Sequence, residues 1–204
     1  MPLLAAVALV LALAGACADS DGHSTATRPD DGARSLAARP AERAGPPVAE
    51  RPVSVRLPSG TVVLVRSAGT RGRGLLDVPD DITEAGWWRA GARLGDPFGS
   101  TLIAGHVDAV DQGLGAFAEL LAVDRGQRVR VRSRGLEQTF TIRSRRLVPR
   151  DDLRQESGIY SVQGPRRLTL VTCAPPYRAE RGGYQNLAVV TAIPLGSARA
   201  RSQS

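Results

Sequence analysis

The feature that most constrains this chain is the run Leu168-Thr169-Leu170-Val171-Thr172-Cys173-Ala174, followed at once by Pro175-Pro176. Its apolar and β-branched residues predict a β-strand. Prolines have no N–H for a sheet ladder and resist continuing a strand. The strand is therefore expected to end at Cys173 and to deliver the thiol at a strand-to-loop junction. A second apolar run, Thr101-Leu102-Ile103, leads into Ala104-Gly105-His106-Val107-Asp108 and places a histidine at its own end. After Cys17 the chain has one cysteine, and after His23 one histidine. A buried structural cysteine is the plain reading of Cys173, because free cysteine is among the most buried residue types. A lone thiol and a lone imidazole, each ending a predicted strand, instead match a nucleophile and proton carrier brought together by the fold.

The other segments are also short and strand-like. Residues 52–58 and 61–66 are β-rich and are joined by Ser59-Gly60, which predicts a hairpin. Residues 69–74 read as a loop. Leu114, Phe117, Leu120 and Leu121 fall at helical spacing and predict a short amphipathic helix within 113–121. Residues 128–132 alternate arginine and valine, the pattern of a half-exposed strand, with 138–143 as its partner across Arg134-Gly135. The arginines there read as a solvated face, with a basic groove as the alternative. A long connection, 147–163, precedes the cysteine strand, and 184–192 is the closing strand. About eight closely spaced strands with one or two short helices predict a mainly β, closed or barrel-like domain.

These segments carry a family resemblance. The wording "TLIAGHVD", followed later by "LTLVTC", resembles the sortase family, and "AGHVD" and "VTC" are most similar to the class F or class E sortases of actinobacteria. The stretch 75–81 is similar to an "L.VPDD" element of class F, and Ala85-Gly86-Trp87-Trp88 to its "GWY" position. The resemblance implies the closed eight-stranded sortase β-barrel. It also implies a cysteine transpeptidase of the cell envelope. In such an enzyme Cys173 attacks the bond after threonine in a sorting signal such as Leu-Pro-x-Thr-Gly and forms a thioester. His106 acts as proton donor and acceptor, and an amine resolves the thioester, with hydrolysis as leakage. Sortases also polarise the substrate carbonyl with an arginine, typically in wording like "YRDN"; the matching stretch here is Tyr184-Gln185-Asn186, which puts Gln185 at that position. Glutamine lacks the charge and the donor fork of guanidinium. Arg178 and Arg181, in the loop after the cysteine, are the candidate substitutes. Two other readings stay open: a sortase-fold hydrolase or non-catalytic peptide binder, and a structural envelope lipoprotein.

The chain's 204 residues allow one domain, expected over 51–195, with extensions. Residues 3–16 are apolar and uncharged, short of the ~20 needed to span a bilayer. They read as the apolar part of an export signal in 1–17, though without a basic segment before it. Leu13-Ala14-Gly15-Ala16-Cys17 resembles a lipoprotein box. Lipidation of Cys17, cleavage without a lipid and an uncleaved anchor are the three alternatives. Residues 18–50 have no apolar periodicity and predict a disordered spacer in which His23 is a solvated residue; residues 196–204 predict a basic tail. The expected location is the outer face of the cell membrane, held by lipid or N-terminal anchor, or secreted. The resemblance implies secreted proteins with a C-terminal sorting signal as substrates, and an amine of a peptidoglycan precursor or another protein as acceptor.

All 27 basic residues are arginine, and the formal charge is +7. Nucleic acid is not the expected partner, since the arginines are scattered among acids and aromatics make up only 4%, too few for a stacking platform. Attraction to an anionic envelope surface accounts for the charge. Asp77, Asp80 and Asp81 lack further carboxylates at calcium-ligand spacing, so neither metal nor cofactor is expected. Trp87 and Trp88 read as core and groove wall.

Overall fold

Eight strands close on themselves in a computed structural model that describes residues 48–71, 75–154 and 158–201. They are β1 (Ser54–Arg56), β2 (Val62–Ala68), β3 (Glu84–Trp88), β4 (Ser100–Gly105), β5 (Arg128–Arg132), β6 (Leu136–Pro149), β7 (Arg167–Arg178) and β8 (Gly183–Pro194). The spatial order is β8-β7-β4-β3-β2-β1-β5-β6, and β6 pairs again with β8 to shut the barrel. Two neighbouring pairs, β2 with β3 and β4 with β7, run parallel; the rest are antiparallel. Closure removes every barrel edge, which lets a domain rich in β-branched residues avoid edge-to-edge association.

The period-2 geometry of strands divides the core in two. In β7, Leu168 and Leu170 point into the barrel with Phe117, Phe140, Ile103 and Val190. Val171 and Cys173 point the other way, into a second cluster with Leu102, Ala104, Leu187 and Val189. Strands buried on both sides read as unbroken apolar runs, which is why 168–174 shows no alternation. Trp87 lies in the barrel core, and Trp88 packs edge-on against Tyr160 at 5.1 Å beside the second cluster.

Several elements differ from expectation. The strand of Cys173 does not stop at the prolines; it runs on to Arg178 through a register break between Ala174 and Tyr177. By that point β4 has ended, so Pro175 and Pro176 stand at a bulge with a partner on one side only, where a missing N–H costs no ladder bond. Among the described residues the helical content is three 3-10 segments, Ala116–Leu121, Arg150–Arg154 and Ala179–Arg181. In the first of these Phe117 and Leu120 are buried, whereas Leu114 precedes it and is 79% exposed. Glu50, assigned to the spacer by sequence, bridges Leu94, and its carboxylate accepts the Gly135 N–H at 2.7 Å. Arg199–Ala200, expected in the tail, pairs with β6, and Arg201 donates to the Ser133 carbonyl. Part of the expected loop at 69–74 is a short ribbon, Thr70–Arg71 against Leu75–Leu76. The leader 1–17 with Cys17, the spacer up to residue 47 with His23, and 202–204 lie outside the described residues. Among the described residues no helix is long and apolar enough to cross a membrane.

Candidate active site

The parallel pair β4 and β7 builds the site. Its register runs from Arg167↔Ser100 to Val171↔Ala104, partners 67 residues apart in the chain. The same offset carries Cys173 onto His106. Parity puts them on one face, since Leu102 and Ala104 share the second cluster with Val171 and Cys173. Parallel neighbours are ~4.8 Å apart in the pairing direction, so a thiol and an imidazole at matched positions are brought to one place by the backbone alone. Two side-chain bonds lock the pair: Ser100 Oγ with Thr169 Oγ1 at 2.7 Å, and Thr172 Oγ1 donating to the Gly105 carbonyl at 2.9 Å. The second lies one residue before both functional side chains.

Small residues hold the histidine's backbone in place. A Cβ on Gly105 would lie 2.6 Å from the buried Phe117 ring, and one on Gly115 would lie 2.6 Å from the His106 carbonyl oxygen. His106 Nε2 is 2.9 Å from the Pro79 carbonyl. A carbonyl only accepts, so Nε2 carries a proton, and in the neutral ring Nδ1 is the nitrogen that accepts one. The 75–81 segment thereby fixes the tautomer.

Cys173 and His106 both line a cleft of about 890 Å³, with Val171 and Leu187 on its floor and Leu153, Ile159 and Tyr160 from the β6–β7 connection on its wall. Cys173 is half-buried. Burial pushes its thiol up from the ordinary range; the positive charge of Arg150 acts against this, and Asp108 adds to it. Arg150 is exposed, lines the cleft and is tethered by donating to the Gly182 carbonyl at 3.0 Å. Across the cleft Tyr184 Oη donates to Asp108 Oδ2 at 2.6 Å, and that bond pushes the phenol up to about 12. Tyr177 packs edge-on against Tyr184 at 5.1 Å.

The profile of the sortase domain matches residues 58–194. The chain belongs to the sortase family. Solved structures share the fold at low identity. Listeria monocytogenes sortase A is 18% identical with a TM-score of 0.54, the match covering 76% of this chain and 93% of that one. SrtA of Actinomyces oris is 20% identical, TM-score 0.56, with 80% and 88% covered. Sortase E1 of Streptomyces coelicolor, solved with a tripeptide in its active site, is 17% identical, TM-score 0.55, with 75% and 91% covered. No curated protein matches the chain. Sortases are cysteine transpeptidases of the cell envelope, and this chain has the family's closed eight-stranded barrel.

The candidate residues of this sortase separate into two groups. Cys173 and His106 both line the cleft. Gln185, Arg178 and Arg181 are not among its lining residues. Strict alternation from Leu187 and Val189 would turn Gln185 toward the cleft, but Gln185 stands opposite the register break, and Tyr184 takes the cleft-facing place. Gln185 Nε2 donates instead to the Gly183 carbonyl at 2.6 Å. Arg178 and Arg181 are exposed at the tip of the β7–β8 hairpin. Sequence reasoning missed Arg150, Asp108 and Tyr184 as cleft residues. Asp108 stood within the quoted histidine motif. Arg150 had no signal beyond its place in the connection before the cysteine strand.

Proposed function

We propose that this sortase cleaves a sorting signal of the Leu-Pro-x-Thr-Gly type through a thioester on Cys173 and transfers the acyl group to an amine. The observation that carries the reading is that Cys173 and His106, each two residues past the last paired positions of β4 and β7, line one cleft. Because burial pushes the thiol's pKa up and favours its protonated form, attack needs a proton acceptor, and His106 fills that role. The Sγ–C bond forms at the threonine carbonyl as the peptide C–N bond breaks, and His106 gives its proton to the departing amine. The acceptor amine then attacks the thioester carbonyl, the C–S bond breaks, and the proton returns to the thiol by way of His106. Arg150 supplies the guanidinium at the developing oxyanion in place of the arginine that the family carries on β8. Substrates are secreted proteins with a C-terminal sorting signal. The acceptor is an amine of a peptidoglycan precursor or of another protein. The enzyme works on the outer face of the membrane, tethered by its N-terminal segment, and its motif wording resembles that of classes F and E.

Incubation of the protein with a sorting peptide, with and without an added amine, tests this. Mass spectrometry should find the acyl adduct on Cys173, amide product in the presence of the amine, and neither with Cys173→Ala. Acid product alone at saturating amine would make the protein a hydrolase. Turnover by Cys173→Ala would rule out the thioester.

A further inference from the structure

The outer face of β2, β1 and β5 carries three arginines that pair with no acid among the described residues. Register sets Val62, Arg56 and Arg130 in one row across these strands, and Leu64, Ser54 and Arg132 in the next. All point outward, since Val55, Val63, Val129 and Val131 between them are buried in the barrel core. Arg56 and Arg130 are therefore like charges directly opposite one another, an arrangement that disfavours the sheet. Arg132 is paired with Glu137, and Arg66, further along β2, with Glu84. Among the described residues, no acid pairs with Arg56, Arg128 or Arg130; the one side-chain bond among them is from Arg56 to the Gly60 carbonyl. Of the nearby acids, Glu50 accepts from the Gly135 N–H, Glu119 accepts from Ser59, and Asp124 stands in the turn before Arg128.

The same face exposes aliphatic side chains that have no business in water. Val62 is 49% and Leu64 53% exposed beside Arg56, while on the far side of β5 Ile193 is 41% and Leu195 52% exposed. Ile193 pairs with Thr141, which pairs with Arg128, so these residues continue the same surface. Interleaved cations and aliphatic residues are the composition of a surface that rests on lipid headgroups with its apolar groups in the acyl boundary. A second copy is a poor occupant, because the two faces would oppose like charges.

Position in the ring gives this face a use. In the order β8-β7-β4-β3-β2-β1-β5-β6, β1 lies four strands from β7 and β5 four strands from β4, whichever way the barrel is traversed. The basic face is thus diametrically opposite the two strands that carry Cys173 and His106. The chain also enters the domain here, since Glu50 precedes β1 by four residues and the apolar run 3–16 lies upstream of it.

We propose that the outer face of β1, β2 and β5, with Arg56, Arg128, Arg130, Val62 and Leu64 at its centre, docks on an anionic lipid bilayer and leaves the Cys173 cleft pointing away from it. Co-sedimentation of the full chain with vesicles tests this, comparing mixed phosphatidylglycerol/phosphatidylcholine with phosphatidylcholine alone. An apolar N-terminal segment binds both kinds, so the ratio of the two affinities isolates the face. Each arginine near an anionic surface is worth about a fivefold gain in binding. Arg56→Glu/Arg130→Glu should therefore lower the ratio at least about 25-fold, and Arg56→Gln/Arg130→Gln should do so in the same direction if the reversal perturbs folding, as checked by thermal unfolding. Arg178→Glu/Arg181→Glu makes the same change in net charge elsewhere and should leave most of the ratio intact. Val62→Ser/Leu64→Ser should weaken binding to the anionic vesicles several-fold. The proposal is overturned if the parent shows no preference for anionic vesicles, or if the Arg178/Arg181 control loses as much as the Arg56/Arg130 variant. It is equally overturned if Val62→Ser/Leu64→Ser binds like the parent while a soluble polyanion competes fully, which would make the face a polymer site.

Discussion

Two stretches of β7, on either side of Cys173, follow different rules. Before it, residues 168–171 have a neighbour on both sides, β4 and β8, in continuous register, and two side-chain bonds span the junction with β4. After it, β7 keeps only β8 as partner, breaks register at the prolines and turns back through Ala179–Arg181. The thiol and imidazole belong to the first regime and Gln185, Arg178 and Arg181 to the second. The contrast shows that which side chains reach the cleft depends on which strands flank them. Motif position translates into cleft position where register is locked, and fails to one bulge further on, where a single-residue shift exchanges the faces of the strand.

The contrast would be broken most severely at the locked junction. His106→Asn should lower turnover of a sorting peptide by about 10²- to 10⁴-fold, the usual range for a positioned proton carrier. Unfolding temperature should change little, because His106 is half-buried at the end of β4. Parent-like turnover, or a large drop in melting temperature with turnover per folded molecule unchanged, would make His106 a structural residue.

Next in size is Arg150, the cation supplied from outside both stretches. Arg150→Ala should cost about 10²- to 10³-fold in kcat, the effect of removing one oxyanion donor. The thiol reports the same charge independently. A thiolate is anionic, so loss of the nearby cation moves thiol titration to higher pH, and loss of the nearby carboxylate moves it to lower pH. At fixed pH below the titration, alkylation of Cys173 by iodoacetamide should be slower in Arg150→Gln and faster in Asp108→Asn. The asparagine retains an oxygen for Tyr184. Equal alkylation rates in the two variants would remove Arg150 from the site.

The smallest effects are expected beyond the bulge. Gln185→Ala, Arg178→Ala and Arg181→Ala should each change turnover by no more than about twofold, in line with exposed or locally bonded positions. Gln185→Arg sharpens the test, because it restores the residue type the family carries without restoring the direction of the side chain. A hundredfold gain in that variant would return Gln185 to the cleft.

Much of this was legible in the chain. Cys173 stood out as the one thiol beyond the leader and His106 as the one imidazole beyond the spacer, each closing an apolar run, and the strand count already implied a closed barrel. The hairpin at Ser59-Gly60 is seen as Arg56 paired with Val62. What could not be read were consequences of packing between distant segments. The prolines looked like a stop because nothing local reveals that β4 ends first and frees one side of β7. Leu114 looked like part of a helix because spacing alone cannot tell a 3-10 turn, which buries only Phe117 and Leu120, from a longer helix. Arg150 is one of 27 arginines, and only the path of the β6–β7 connection distinguishes it.

The parallel pairing of β4 with β7 has a further consequence, for the order in which the enzyme comes into being. Parallel neighbours cannot be joined by a tight turn, and here the whole segment from Gly105 to Arg167 intervenes, including β5 and β6. Closing so long a loop is entropically costly and depends on non-local contacts, which form slowly. Each half of the chain carries one of the two reactive groups, and neither has a partner until the ends of these strands align. Under the proposed mechanism a partly folded chain therefore lacks the assembled pair, and acyl transfer begins only with the ring complete. Return of peptide cleavage during refolding times that last event, while Trp87, buried in the barrel core, times the collapse before it.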